Sequence, residues 1–205
     1  GQFGLSYYYW WHPAQGIAVD GSGNVYVADY DNNRVQIFSN TGVFLNKWQA
    51  SDPGDGLFYL PQDIAVDGSG DVYVADTQNS RIQVFNNSGS FIRKWGSYGI
   101  GDGQFSYPGG IAVDGSGSVY VADTNNHRIQ VLSSTGTFIR TWGAYGSGDG
   151  QFSYPGGIAV DGSGNVYVAD TNNHRIQVLS STGTFIRTWG TYGTGDGQLY
   201  YPKKI

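Results

Sequence analysis

The chain has 205 residues, a net charge of −5, dispersed Lys and Arg residues and no Cys, and its apolar runs are all shorter than 18 residues. These features exclude disulfides, thiolate catalysis and a membrane-spanning helix, and they disfavour a nucleic-acid partner, which requires a basic patch. All 16 acidic residues are Asp and 33 residues are Gly. Because Asp and Gly favour turns, we expect short strands joined by tight turns and almost no helix.

The first fifteen residues, 1–15, are atypical and include five consecutive aromatic residues at 7–11. They are either a divergent loop between repeats or a capping and pairing strand. We favour the strand because such an aromatic run is rarely left in water. Gly1 in place of Met indicates a processed or excised chain.

A sequence repeat occupies the rest of the chain. The same apolar string recurs every 47 residues, beginning at Ile17, Ile64, Ile111 and Ile158. A fixed period of this size is the signature of a repeat architecture. The predicted units are 16–62, 63–109, 110–156 and 157–203, and residues 204–205 begin a fifth first strand. This stub marks a fragment boundary or completes a sheet elsewhere.

Four strands are predicted within the first unit, at 17–20, 25–29, 34–38 and 43–48, separated by turns rich in Gly, Asn and Asp. Four antiparallel strands per unit of this length form one blade of a β-propeller. The first two strands are apolar and are interpreted as inner strands. The third and fourth strands alternate polar and apolar residues, as solvated outer strands do. The predicted fold is therefore an all-β propeller with four full blades and a stub.

One Trp recurs near the end of each fourth strand. We interpret these side chains as packing anchors between adjacent blades: Trp48, Trp95, Trp142 and Trp189.

An Asp and an Arg flank the turn after each second strand. The pairs are Asp29 and Arg34, Asp76 and Arg81, Asp123 and Arg128, and Asp170 and Arg175. We predict that they are salt bridges that close the turn, with Asp also accepting turn amides.

The loops between blades and the turns after the second strands should emerge on one face, because the strands alternate in direction. This predicted loop face carries candidate binding residues: Tyr98, Tyr145, Tyr192, Asn126, His127, Asn173 and His174. Tyr, Asn, Gly and Ser are typical of adaptable binding surfaces. The alternative is that the Tyr rings pack between the blades.

Neither a metal site nor a catalytic site is expected. His127 and His174 lie on separate blades, too far apart to share a zinc ion. The string 20–24 starts like a calcium loop but lacks the bidentate Glu. Units 101–147 and 148–194 match at 44 of 47 positions, and no nucleophile and base break the repeat.

The string 156–179, with its Asn-His-Arg-Ile element at 126–129 and 173–176, closely resembles NHL repeats. The His is absent from the first two units, where Asn33 and Ser80 precede the Arg. The resemblance implies a propeller, commonly six-bladed, that binds proteins and sometimes RNA, with lyases and calcium-dependent hydrolases among related propellers. The four units of this chain depart from the six blades that are common in the family. A fragment of a longer array, a ring with altered wedge angles and assembly between chains all remain open.

The sequence thus favours a non-catalytic binding or scaffold module that holds a protein or glycan on the loop face, without a cofactor. One alternative is a structural subunit that self-associates into rings or filaments through its terminal segments. Another is a propeller lyase or hydrolase with a metal in the pore. An extracellular or cell-surface location is expected.

Overall fold

The computed structural model describes residues 14–48 and 55–205 of the chain. The described residues form four sheets, each of four consecutive antiparallel strands in chain order. This confirms the predicted all-β propeller, in which each sheet is one blade. The expectation for residues 1–15 falls outside the described residues, apart from Ala14 and Gln15, and stays a prediction.

The strand bounds repeat from blade to blade. Blade 1 contains β1 Ile17–Val19, β2 Val25–Asp29, β3 Arg34–Phe38 and β4 Phe44–Trp48. Blade 2 contains β5 Asp63–Val66, β6 Val72–Asp76, β7 Arg81–Phe85 and β8 Phe91–Trp95. Blade 3 contains β9 Pro108–Val113, β10 Val119–Asp123, β11 Arg128–Leu132 and β12 Phe138–Trp142. Blade 4 contains β13 Pro155–Val160, β14 Val166–Asp170, β15 Arg175–Leu179 and β16 Phe185–Trp189.

Two kinds of turn shape each blade. In the inner hairpin of blade 1, a carboxylate oxygen of Asp20 accepts the amides of Ser22 at 2.9 Å and Asn24 at 2.8 Å, so the Asp-Gly-Ser-Gly string is a hydrogen-bonded turn. After the second strand, a short 3-10 turn ends in a residue with left-handed backbone. Those residues are Asn33, Ser80, His127 and His174.

The hydrophobic core lies between blades rather than within one. In the layer between blades 1 and 2, Tyr26 and Trp48 of the first blade pack against Ile64, Val72 and Phe85 of the second. Equivalent layers join blades 2 and 3, and blades 3 and 4. The inner strands are therefore covered on both sides wherever a blade has two neighbours, as their apolar sequence predicts.

The outer character predicted for the third strand is wrong in blades 2 to 4, whereas β3 of blade 1 alternates partly exposed and buried residues. In β7, β11 and β15 only the first residue, an Arg, is partly exposed, and the remaining four residues are buried. The buried set includes Gln83, Gln130 and Gln177, which are fully buried. These glutamines bond to loops from the preceding unit, so their polarity reflects an internal network rather than contact with water.

Candidate functional site

The loop face is assembled from the 3-10 turns and the loops between blades. Asn126 in the turn of blade 3 donates from Nδ2 to the carbonyl of Gly99 at 2.9 Å. Arg128 donates to the carbonyl of Gly101 at 2.8 Å. The turn of one blade thus holds the loop that enters that blade, and both lie on the same face. Asn173 and Arg175 repeat the two contacts in blade 4, on Gly146 at 2.8 Å and Gly148 at 2.7 Å.

The flanking Asp and Arg residues form an ion pair in all four blades. Their Nε to Oδ2 distances are 2.6 Å for Arg34–Asp29 and 2.7 Å for Arg81–Asp76, Arg128–Asp123 and Arg175–Asp170. In blades 2 to 4 the carboxylate is fully buried. Burial alone would raise the pKa of Asp29, but hydrogen bonds from Asn32, Arg34 and Gln36 and the charge of Arg34 lower it below the usual value.

Each buried carboxylate has several hydrogen-bond donors besides its Arg. Asp123 accepts from Asn126 at 2.9 Å, from the amide of Ser106 at 2.7 Å and from Gln130 at 3.1 Å. Gln130 in turn accepts the amide of Gly103 at 2.9 Å. A carboxylate with this many fixed donors stabilises the turn and the incoming loop, and it offers little capacity to act as a general base.

Gln130 and its equivalents were not among the predicted site residues. The signal for them was present, because an Arg-x-Gln pattern recurs in every unit, at 34–36, 81–83, 128–130 and 175–177.

The two histidines are fixed by the loop that follows their blade. His127 Nδ1 accepts the amide of Tyr154 at 3.1 Å, and His174 Nδ1 accepts the amide of Tyr201 at 3.1 Å. The proton of each neutral ring is therefore on Nε2. Burial lowers the pKa of His127, which favours this neutral form. In blade 1, Asn33 Oδ1 accepts the amide of Leu60 at 2.7 Å and replaces the imidazole.

Aromatic rings surround each histidine. His127 lies 4.9 Å from the ring of Tyr145 and 4.5 Å from that of Tyr154. His174 lies 4.9 Å from Tyr192 and 4.4 Å from Tyr201. The structure therefore groups His127 with Tyr145, and His174 with Tyr192, as neighbouring members of the predicted loop face.

The loop tyrosines point into solvent rather than between the blades. Tyr98, Tyr145 and Tyr192 are 78%, 70% and 66% exposed. Phe105 and Phe152, seven residues further along the first two of these loops, are fully buried and fill the space beneath. A groove beside Tyr145 is lined by Ser147, Ser153 and Asn173.

The predicted anchor tryptophans differ in burial. Trp48 and Trp142 are buried and Trp95 is partly buried, each against the following blade. Trp189 is exposed, because among the described residues no blade follows it.

The central channel contains an ion pair that was not predicted from the sequence. Its cavity of about 120 Å³ is lined by residues that include Gln15, Gln62 and Lys204. Lys204 Nζ lies 3.1 Å from Asp63 Oδ1 and donates to the carbonyls of Gln62 at 3.0 Å and Gly109 at 3.1 Å. Burial raises the pKa of Asp63 and lowers that of Lys204, while their mutual attraction opposes both shifts.

Across residues 14–48 and 55–205, no three His or Asp side chains are grouped closely enough to hold a metal ion. No helix in these residues is long and apolar enough to cross a membrane.

Solved structures with the same fold include a streptogramin B lyase, 18% identical, with a TM-score of 0.67 over 89% of this chain and 55% of the lyase. A virginiamycin B lyase from Staphylococcus aureus is 17% identical, with a TM-score of 0.66 over 85% of this chain and 54% of that one. U3-55K is 12% identical, with a TM-score of 0.68 over 89% of this chain and 54% of U3-55K. This chain thus spans about half the length of these structures.

Comparison with curated proteins found no match. The NHL repeat family matches residues 14–38, 58–85, 105–132 and 152–179, which together are more than half of the chain. These four segments contain the inner hairpin, the 3-10 turn and the third strand of each blade. The chain therefore belongs to the NHL repeat family.

Proposed function

We propose that this chain is a non-catalytic binding module that holds a protein partner on its loop face. One observation carries the proposal, which is the row of solvent-exposed Tyr98, Tyr145 and Tyr192 at identical places in successive loops. A large aromatic ring supplies contact area and a hydroxyl at a low cost in conformational entropy.

The loops that present these rings are held in place before any partner arrives. Tyr145 pairs with Phe152 in an isolated bridge, and the amide of buried Phe152 donates to the carbonyl of Ala144 at 2.9 Å. The same bridge joins Tyr98 to Phe105 and Tyr192 to Leu199. A surface ordered in this way loses little freedom on binding, which favours affinity.

The chemistry of the loop face supports binding rather than turnover. The carboxylates of the turn pairs are occupied by fixed donors, and Nδ1 of His127 is occupied by a backbone amide. What remains accessible is aromatic surface, hydroxyls and amides. The likeness to lyases, at 17–18% identity, is a likeness of fold.

A triple variant tests the proposal. Tyr98→Ala, Tyr145→Ala and Tyr192→Ala together should weaken binding to an immobilised peptide library by about tenfold or more, as expected when aromatic anchors are removed. The matched control is Ile92→Ala, Ile139→Ala and Ile186→Ala, which removes three exposed apolar side chains at the same 47-residue spacing from the outer strands.

Retained peptide binding in the tyrosine variant would contradict the proposal, as would an equal loss in the isoleucine variant. A parallel glycan array separates the partner classes. Binding to glycans alone, lost in the tyrosine variant, would keep the loop face as the site and overturn the choice of a protein partner.

Self-association is a second candidate function, and a different observation favours it. Trp189 is 43% exposed on blade 4, whereas the equivalent Trp142 is 8% exposed between blades 3 and 4. An exposed face that repeats an internal interface is suited to a further copy of the same blade.

A further inference from the structure

Every interface between described blades contains the same Trp–Gly contact. The indole of Trp48 lies against Gly89, that of Trp95 against Gly136 and that of Trp142 against Gly183. Each of these glycines has a positive φ, and a Cβ there would overlap the indole. The contact therefore requires both a Trp on the earlier blade and a Gly on the later one.

The two halves of this contact are also present on the terminal faces, where they do not meet. Gly42 lies 47 residues before Gly89 and has the same backbone, with φ of +80°, and no atom of the described chain lies within 4 Å of its Cβ position. Trp189 lies 47 residues after Trp142. Blade 1 thus presents the glycine, and blade 4 presents the indole.

The surroundings of Gly42 match those of an internal interface. Ile17 and Val19 on β1 are 66% and 60% exposed, whereas Ile64, the equivalent of Ile17, is 4% exposed beneath blade 1. Blade 1 therefore exposes the apolar surface that blades 2 to 4 bury against a preceding blade.

The residues around Trp189 also match those at an internal interface between blades. Arg93 donates to the carbonyl of Ser134 at 2.8 Å and Arg140 to that of Ser181 at 3.3 Å, each across an interface to the next blade. Arg187 is the next residue in this series, and its guanidinium makes contacts within blade 4: it lies 5.8 Å from the ring centroid of Trp189 and donates to the hydroxyl of Tyr167 at 3.5 Å. The carbonyl at the matching position of a following blade 1 is that of Asn40.

We infer that blade 4 of one copy packs on blade 1 of a second copy of this chain, with Trp189 seated on Gly42. The inference rests on the second candidate function, self-association, and specifies its interface. A second copy is the occupant because blade 4 repeats blade 3 at 44 of 47 positions, so it presents to its next neighbour the surface that blade 3 presents to blade 4.

The interface joins two different surfaces, so it forms either a closed ring or a filament. Two copies would provide eight blades, which lies within the range known for closed propellers. The size comparison agrees, because one copy aligns with about half of a solved propeller of the same fold.

Part of the surface on blade 4 is already covered by the chain itself. Thr171 donates to the carbonyl of Pro202 at 2.8 Å, and Lys204 lies against Gly157 on β13. Residues 202–205 occupy the repeat positions of 14–17, so an arriving blade 1 requires the same space. The arriving copy must therefore displace residues 202–205, and their removal should strengthen association.

Sedimentation equilibrium over a range of concentrations tests this interface. The 205-residue chain should associate, and Trp189→Ala should lower the association constant by about tenfold or more. Ile139→Ala, which removes a side chain with the same 43% exposure as Trp189 from the fourth strand of blade 3, should leave it unchanged. A chain ending at Tyr201 should associate more tightly than the full chain.

A mixing experiment tests the orientation of the two faces. Val19→Asp places a charge on blade 1 and leaves blade 4 intact, while Trp189→Ala leaves blade 1 intact. Each variant alone should associate about tenfold or more weakly than the unchanged chain, but an equimolar mixture should form a dimer through its one intact interface. Circular dichroism confirms that each variant is folded.

Monomers at every concentration in both the full and the shortened chain would overturn the inference. Undiminished association of Trp189→Ala, or no dimer in the mixture, would also overturn it. If the shortened chain does not fold, sedimentation of the full chain and the mixing experiment still test the inference. Loss of partner binding in the tyrosine triple variant with intact association would separate the two proposals.

Discussion

Blades 3 and 4 are nearly the same sequence in two different environments. They share 44 of 47 positions, the same four strands and the same Asp–Arg distance of 2.7 Å. Yet Trp142 is 8% exposed and Trp189 is 43% exposed. Blade 4 lies on blade 3, whereas no described blade lies on blade 4.

The difference in Trp exposure shows that secondary structure and burial have different causes in a repeat protein. The unit determines its own strands and turns, because those depend on residues close in sequence. Its neighbours determine which faces are buried, because the core lies between units. Identical substitutions in blades 3 and 4 should therefore have unequal effects.

The largest effect is expected for the two tryptophans. Trp142→Ala should lower the free energy of unfolding by about 3–5 kcal/mol, the usual range for truncating a buried aromatic residue. Trp189→Ala should change it by less than about 1 kcal/mol in the monomer. Urea unfolding at low protein concentration measures both, and equal losses would show that Trp189 is buried in the monomer.

Trp142→Phe refines this measurement. Trp142 Nε1 is buried, and no acceptor is present for it in the described part of the chain. Phenylalanine keeps a ring and removes this N–H, so it should retain more stability than alanine does. A Phe variant as unstable as the Ala variant would show that the full indole volume is required.

Alanine substitutions at Gly183 and Gly42 should show the next largest difference in the free energy of unfolding. Gly183 has φ of +88° and lies against Trp142, whereas Gly42 has φ of +80° and an open Cβ position. At either position, Ala should lower the free energy of unfolding by about 1 kcal/mol because the backbone has a positive φ. Gly183→Ala should lose roughly a further 1–3 kcal/mol because the methyl group overlaps the indole. Equal unfolding midpoints would contradict the contact.

The parts of the fold that could be predicted from the sequence are those with local causes. The strand Val25–Asp29 and the turn that pairs Asp29 with Arg34 follow from an alternating pattern and a short hairpin. Trp142 could be assigned to an interface because a bulky residue at a fixed place in each repeat requires a partner surface.

What could not be predicted depends on contacts between units. The sequence pattern assigns Gln130 to the polar face of an outer strand, but its partners Gly103 and Gln104 come from a loop 27 and 26 residues earlier. The exposure of Tyr145 depends on Phe152 filling the space beneath the loop. The pair of Asp63 and Lys204 depends on the curvature of the whole array, which no local pattern determines.

The smallest expected effect concerns this ion pair and depends on pH. Lys204→Met leaves the buried Asp63 carboxylate with backbone donors such as the amide of Ile111 at 3.1 Å. At neutral pH the loss should be about 1 kcal/mol, at the low end for a buried group that loses its partner, since the Lys204 side chain is 31% exposed.

The sign of the pH dependence follows from the pKa of Asp63, which burial raises and Lys204 opposes. Without Lys204 this pKa rises further, so the protonated carboxyl is the form that the folded state favours. The deficit should therefore vanish below the ordinary Asp value of about 4 and grow as the pH rises through the folded-state pKa. Urea unfolding of Lys204→Met and of the double variant with Asp63→Asn measures this. A deficit independent of pH, or one retained equally in the double variant, would show that Lys204 acts through packing of its side chain instead.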